Sequence, residues 1–250
     1  PDDRTVRFYL SFIRELKKGK KSAEKKLPLK YETDVPAFER RRREKFIKDI
    51  VSGEVKITDR TFFKTETREI IKWAIRKGDD EVARNALFIL STLTVEFSQK
   101  TVIELLMDPD LFGGYKEILV FILVSGGYKG KISLITSGIY TSFKPRKFPF
   151  ENTEEGDYYL AGYATCLARL SFSDLIDYDK LAFATDRIYK KYNGKLTPDN
   201  STRYEIAALI FENSKVSDLI DAKRAASMFG VKEARMKQLL DIGKNDGKKN

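Results

Sequence analysis

Taken every fourth residue from position 60, the stretch DRTFFKTETREIIKWAIRK returns Arg60, Lys64, Arg68, Lys72 and Arg76. Residues four apart are neighbours on an α-helix. The spacing therefore predicts a cationic ridge, with Phe63, Ile70, Ile71, Ala74 and Ile75 on its core side. Like charges so placed repel, and a polyphosphate lying along them removes the repulsion and releases counterions. The chemistry expected is phosphate binding that weakens with salt; a solvated helix face is the plainer alternative. Just upstream, AFERRRREKFIKDIV sets Arg40, Arg41, Arg42 and Arg43 side by side on a helix whose apolar positions are Phe38, Phe46, Ile47, Ile50 and Val51. Arg42 occupies the place in the apolar stripe where a leucine is expected. Either that turn lies outside the packed part of the helix, or Arg42 faces an anion.

Further basic clusters extend the set. ELKKGKKSAEKK supplies Lys17, Lys18, Lys20 and Lys21, with a plain lysine-rich loop as the alternative. GGYKGKIS supplies Tyr128, Lys129 and Lys131 among glycines that let a backbone approach closely. SFKPRKFPF interleaves Phe143, Lys144, Arg146, Lys147 and Phe148. Aromatics among cations suit single strands, whose bases stack while phosphates pair; core packing is the other reading of these phenylalanines. RIYKKY adds Arg187, Lys190 and Lys191.

Other chemistries find little support. The chain has no histidine and a single cysteine, Cys166, in the apolar setting YATCLARL. That removes His-dependent nucleophilic sites, His-ligated zinc and any internal disulfide, and leaves a buried structural thiol. Asp108 and Asp110 flank Pro109, and Glu151, Glu154, Glu155 and Asp157 cluster. A two-metal nuclease would need such carboxylates to converge; a solvated acidic loop is the simpler account. The expectation is a binding protein and not an enzyme, with no catalytic residues, metal or cofactor.

The 250 residues carry a net charge of +10, which favours an anionic partner, nucleic acid before a membrane surface. The charge is uneven: residues 1–50 hold 16 basic and 9 acidic groups, whereas residues 151–200 are acidic overall. The longest clean apolar run, Ile118 to Val124, is far too short to span a bilayer. No signal peptide is visible, and the expected location is cytoplasmic.

Helical periodicity dominates. It predicts a first helix with Val6, Tyr9, Leu10, Ile13 and Leu16 inward, and others over 61–77, 79–107 with a break inside it, 114–125, 157–171, 174–192, 200–213, 217–229 and 231–242. KLPLKYETDV and GEVKIT read as short strands. The three glycines of SGGYKGK predict a hinge. The fold expected is mainly α: a two-lobed helical protein with at most a few short strands near the N-terminal lobe. Residues 1–125 form a basic lobe, 126–230 a second helical lobe, and 231–250 a terminal arm.

RIYKKYNGKLTPDNSTRYEIAALIFENSKVSDLIDAKRAASMFGV resembles the closing region of orthobunyavirus-type nucleocapsid proteins. There a basic helix runs into a Tyr-Gly turn, then Leu-Thr, a helical pair and a Phe-Gly-hydrophobic ending. Arg187, Lys190, Lys191 and Tyr192 stand in the basic helix, Gly194, Leu196 and Thr197 in the turn, and Phe229, Gly230 and Val231 in the ending. Asp59, Thr61, Lys72 and Trp73 match the family's Asp-x-Thr segment and basic–Trp pair in kind. VRFYLSFIRELKKGKKSAEKKLPLKY is similar to its aromatic helix and basic stretch. Departures are an extra residue between Asp59 and Trp73, Asn193 before Gly194, the residues beyond Phe229, and ERRRREK, which has no counterpart.

The resemblance implies a viral nucleoprotein that encapsidates single-stranded RNA without sequence preference in a basic cleft between lobes. It also implies a homo-oligomeric ribonucleoprotein built through terminal arms, with Met228, Phe229, Val231, Leu239 and Leu240 as the docking residues here. A viral polymerase would be a further partner, and the host cytoplasm and the virion its locations. From the residues alone, the competing reading is a helical adaptor or matrix-type protein that binds an acidic partner or an anionic membrane. The arm could equally pack on its own lobe.

Overall fold

The computed structural model describes residues 35–62, 64–150, 153–170, 177–196, 199, 202–215 and 221–244. The side chains of Asp59, Arg60, Glu154 and Lys244 lie outside that description. So do the first predicted helix, the predicted strand KLPLKYETDV up to residue 34, and Lys17, Lys18, Lys20 and Lys21.

The fold is mainly helical. The order is α1 (Ala37–Val51), α2 (Asp59–Phe62), α3 (Thr65–Lys77), α4 (Asp80–Thr92), α5 (Val95–Leu106), α6 (Gly113–Ser125), then strands β1 (Ile132–Thr136) and β2 (Ile139–Phe143). After them come α7 (Glu154–Leu170), α8 (Tyr178–Tyr192), α9 (Thr202–Ser214), α10 (Ala222–Phe229) and α11 (Glu233–Lys244). Local chemistry sets several boundaries. Asp79, Asp177 and Asp221 each accept hydrogen bonds from backbone N–H groups in the first turns of α4, α8 and α10. Gly230 ends α10 in the left-handed region at φ 69°, and the Val231 N–H reaches back to the Ala226 carbonyl.

GEVKIT is not a strand. Gly53 turns the chain at φ 84°, and Thr58 and Thr61 exchange backbone-to-hydroxyl hydrogen bonds that start α2. The strands are instead β1 and β2, joined antiparallel with Ile132 opposite Phe143 and Thr136 opposite Ile139. Ser137 and Gly138, at φ 52° and 77°, form the two-residue turn whose twist suits a hairpin. Ile132, Leu134 and Phe143 are buried, where the hairpin meets α5 and α7.

By backbone contacts the chain divides into Pro1–Glu39 and Arg40–Asn250. Within the second unit, α6 and α9 are buried nearly all round, as a central helix should be. Helix α7 packs against both. The predicted lobe boundary after residue 125 therefore falls between two helices, α6 and α7, that pack on one another. Gly126 there serves a close approach: a Cβ on it would lie 2.9 Å from the Val95 side chain at the start of α5.

Two adjacent charges interrupt apolar α6. Lys116 is buried, and its amine donates to the Ile135 carbonyl of β1, which fastens the hairpin to α6. Burial pushes its pKa down, while Asp108 and Asp110 pull the other way. Glu117 is buried too and accepts from Arg169 of α7. The Arg169 guanidinium also donates to the Met228 carbonyl at 3.2 Å and lies over the rings of Tyr204 and Phe229. Farther on, Arg235 of α11 makes a two-pronged contact with Glu205 of α9 at 2.8 and 3.0 Å.

The α7–α9 crossing depends on Gly162. A Cβ there would sit 2.5 Å from Ile206 Cγ2 and 3.2 Å from the Ala207 backbone nitrogen. Gly162→Ala gains about 1 kcal/mol of helix propensity, but overpacking against a fixed backbone costs roughly 1–3 kcal/mol. Urea unfolding is expected to show a net loss of about 1–2 kcal/mol; equal or greater stability would mean that the helices can move apart at no cost.

Candidate nucleic-acid interface

The α3 cations have different fates. Lys64 is exposed and Arg68 half-exposed, and among the described residues neither forms an ion pair. Lys72 contacts Glu69 at 2.6 Å and Glu104 of α5 at 3.1 Å. Burial acts to lower the Lys72 pKa, but hydrogen bonds and charge from Glu69 and Glu104 outweigh it and hold the amine above its usual value. Arg76 pairs with Asp108 at 2.8 Å, both side chains being about one-fifth exposed (22% and 19%). The expected continuous ridge is therefore interrupted, because α5 and the turn after it carry carboxylates across to α3. Asp108, weighed above as a metal ligand, is engaged as the partner of Arg76.

On α1 the question raised by Arg42 has a clear answer. Its guanidinium is exposed and pairs with Glu66 of α3 at 2.9 Å, so the anion it meets belongs to the protein. Arg43 lies over the Trp73 ring, 5.4 Å from the centroid. Packing of α1 begins only at Ile47 and Ile50, which are buried. Arg40 and Arg41 are exposed and, among the described residues, without a carboxylate partner.

The densest group of unpaired cations lies at the open end of the hairpin. With Ile132 opposite Phe143, the next residues outward, Lys131 and Lys144, leave the strands side by side. Two basic clusters distant in sequence thereby meet. Downstream, Phe143 stacks on Tyr178 of α8 (4.9 Å, 26°), and Phe148 stacks on Phe150 (5.0 Å) and meets the edge of Tyr163. The Arg146 backbone hydrogen-bonds the Tyr163 hydroxyl. These anchors turn Lys144, Arg146 and Lys147 outward, all exposed. Phe143 and Phe148 are themselves core residues, 4% and 6% exposed, so they do not offer faces to bases.

Exposed aromatics lie here all the same, at positions the sequence reading passed over. Tyr140 lies on the outer face of β2, where Ser133 and Ser142 hydrogen-bond its hydroxyl and hold its pKa below the usual tyrosine value. Phe183 of α8 lies under the Arg146 guanidinium, 4.2 Å from ring centroid to carbon. The available signal for Phe183 was its place off the apolar stripe of α8, formed by Leu181, Ala184, Thr185 and Ile188. Tyr128 is half-buried with Gly130 tight against its ring, and Lys129 is exposed.

The C-terminal candidates are largely used within the fold. Arg187 donates to the Asn213 carbonyl at 2.8 Å, Lys190 pairs with Asp186 at 2.8 Å, and Lys191 lies against the Tyr192 ring. Phe229 and Leu239 are buried, 2% and 0% exposed, because α10 and α11 fold back on α9. Among the five residues expected to dock on a neighbour, Met228 is exposed, and Val231 and Leu240 are half-exposed. Cys166 is buried, its thiol donates to the Ala207 carbonyl, and burial pushes its pKa well up.

One depression among the described residues, with about 230 Å³ of space open to solvent, is bounded by Glu155, Tyr158, Tyr159, Asn193, Thr202 and Ile206 among others, without a lysine or arginine. The unpaired cations are exposed, except Arg68, which is half-exposed. Among the described residues no helix is long and apolar enough to cross a membrane. The chain matches no protein-family model, and no curated protein or solved structure is significantly similar to it.

Paired and unpaired cations should separate in a denaturation series. Arg76→Ala leaves Asp108 without its partner and is expected to cost about 1–3 kcal/mol, whereas Arg68→Ala should stay within about 0.5 kcal/mol. Equal losses in urea unfolding would refute the division.

Proposed function

We propose that this protein binds single-stranded RNA through its phosphates, without sequence preference, as a nucleoprotein and not as an enzyme. The observation that carries the reading is the gathering of Lys131, Lys144, Arg146 and Lys147 at one end of the hairpin, with no carboxylate among the described residues paired to any of them. Unpaired cations held close by a buried framework repel one another until a polyanion arrives. Arg40, Arg41, Lys64 and Arg68, on two helices joined by the Arg42–Glu66 pair, form a second group of the same kind. The resemblance to orthobunyavirus-type nucleocapsid proteins supports RNA as the polyanion. Self-assembly through terminal segments rests on that resemblance alone.

Phosphate contact has a measurable signature. For single strands, log Kobs falls with log salt by about 0.7 per phosphate neutralised. In filter binding with a short oligouridylate, the triple variant Lys131→Ala, Lys144→Ala, Lys147→Ala should flatten that slope by about 2. Arg68→Ala should flatten it by about 0.7, and Arg76→Ala should leave it alone. A wild-type slope near zero, or tighter binding to an acidic polypeptide than to the RNA, would overturn the reading in favour of a protein adaptor.

A further inference from the structure

We infer that the Arg146–Phe183 pair is a nucleobase-stacking platform, the place where a base of the bound strand lies flat against the protein. The inference rests on the RNA-binding reading and adds to it a contact with bases.

Four features of the structure converge on it. The guanidinium lies over the Phe183 ring at 4.2 Å, close enough to stack, and Phe183 is 54% exposed. Asp179 and Asp186 stand within one turn of Phe183 on α8, yet among the described residues no ion pair joins either to Arg146. The guanidinium is thus spent on the ring, and its outer side is left exposed. The backbone beneath it is held by Tyr163 and, to either side, by the buried Phe143 and Phe148, so little ordering remains to be done on binding. Lys144 and Lys147 flank the platform and supply cations for the phosphates on each side of a stacked base. An arginine plane backed by an aromatic ring offers a base a flat, polarizable surface that no single base type monopolises. The rings expected from sequence to stack on bases, Phe143 and Phe148, are buried, and the exposed ring comes from a helix some forty positions along the chain.

The test compares an oligouridylate with an abasic ribose-phosphate oligomer of equal length. Wild-type protein should bind the base-bearing strand about tenfold more tightly. Arg146→Lys keeps the charge but loses the plane, so it should abolish most of that preference while leaving the salt slope unchanged. Phe183→Ala, at an exposed position, should do the same, with circular dichroism confirming the fold. Equal wild-type affinity for the two strands overturns the platform and leaves phosphate binding standing, as does a preference that survives both substitutions. Binding to neither strand overturns the RNA reading itself, and the platform with it.

Discussion

Two charged residues in an otherwise apolar helix hold this structure in register. Lys116 and Glu117 stand side by side on α6, buried, one bonded to the hairpin and the other to α7. Neither charge can be stranded in the interior, because an unpaired buried ion costs several kcal/mol. Each therefore demands a partner at a particular place, which apolar contact does not. Hydrophobic burial brings α6, α7 and α9 together, and the Lys116 and Glu117 contacts select one relative placement. Among the described residues, no group hydrogen-bonds Glu117 Oε2. Arg169 extends the same tie to α9 and α10 through Tyr204, Phe229 and the Met228 carbonyl.

The hairpin inherits its position from that arrangement, and the candidate interface inherits its position from the hairpin. Once Ile135 is bonded to Lys116 and Ile132 lies opposite Phe143, Lys131 and Lys144 emerge together. The aromatic anchors of the following loop then alternate with its cations, ring inward and charge outward. Two roles recur among the basic residues. Where a neighbouring helix or turn brings a carboxylate, as for Lys72, Arg76 and Arg235, the cation joins elements of the fold. Where none arrives, as for Lys144 and Arg68, the charge stays available to a ligand.

The helices were largely legible from sequence because burial on one face leaves a 3.6-residue period. The hairpin was not, although ISLIT and IYTSF alternate about a Ser-Gly turn; the glycine-rich stretch beside it drew the reading to a hinge. GEVKIT looked like a strand because its apolar residues alternate, but a strand also needs a partner, and sequence spacing does not supply one. The cationic ridge failed for a related reason. Its period was real, yet the neutralising Glu104 and Asp108 lie on another element, tens of residues away. Phe143 and Phe148 were ambiguous because a ring between lysines can face either way.

The amino-acid sequence by itself determined the helical class, the excess of positive charge, the lack of imidazole and disulfide chemistry, and most helix ends, since periodicity, composition and capping act over a few residues. Only the tertiary structure decided which arginines and lysines are neutralised, which rings are covered, and which distant clusters share a surface. Those outcomes depend on distances between elements, and a chain's local spacing carries no record of them.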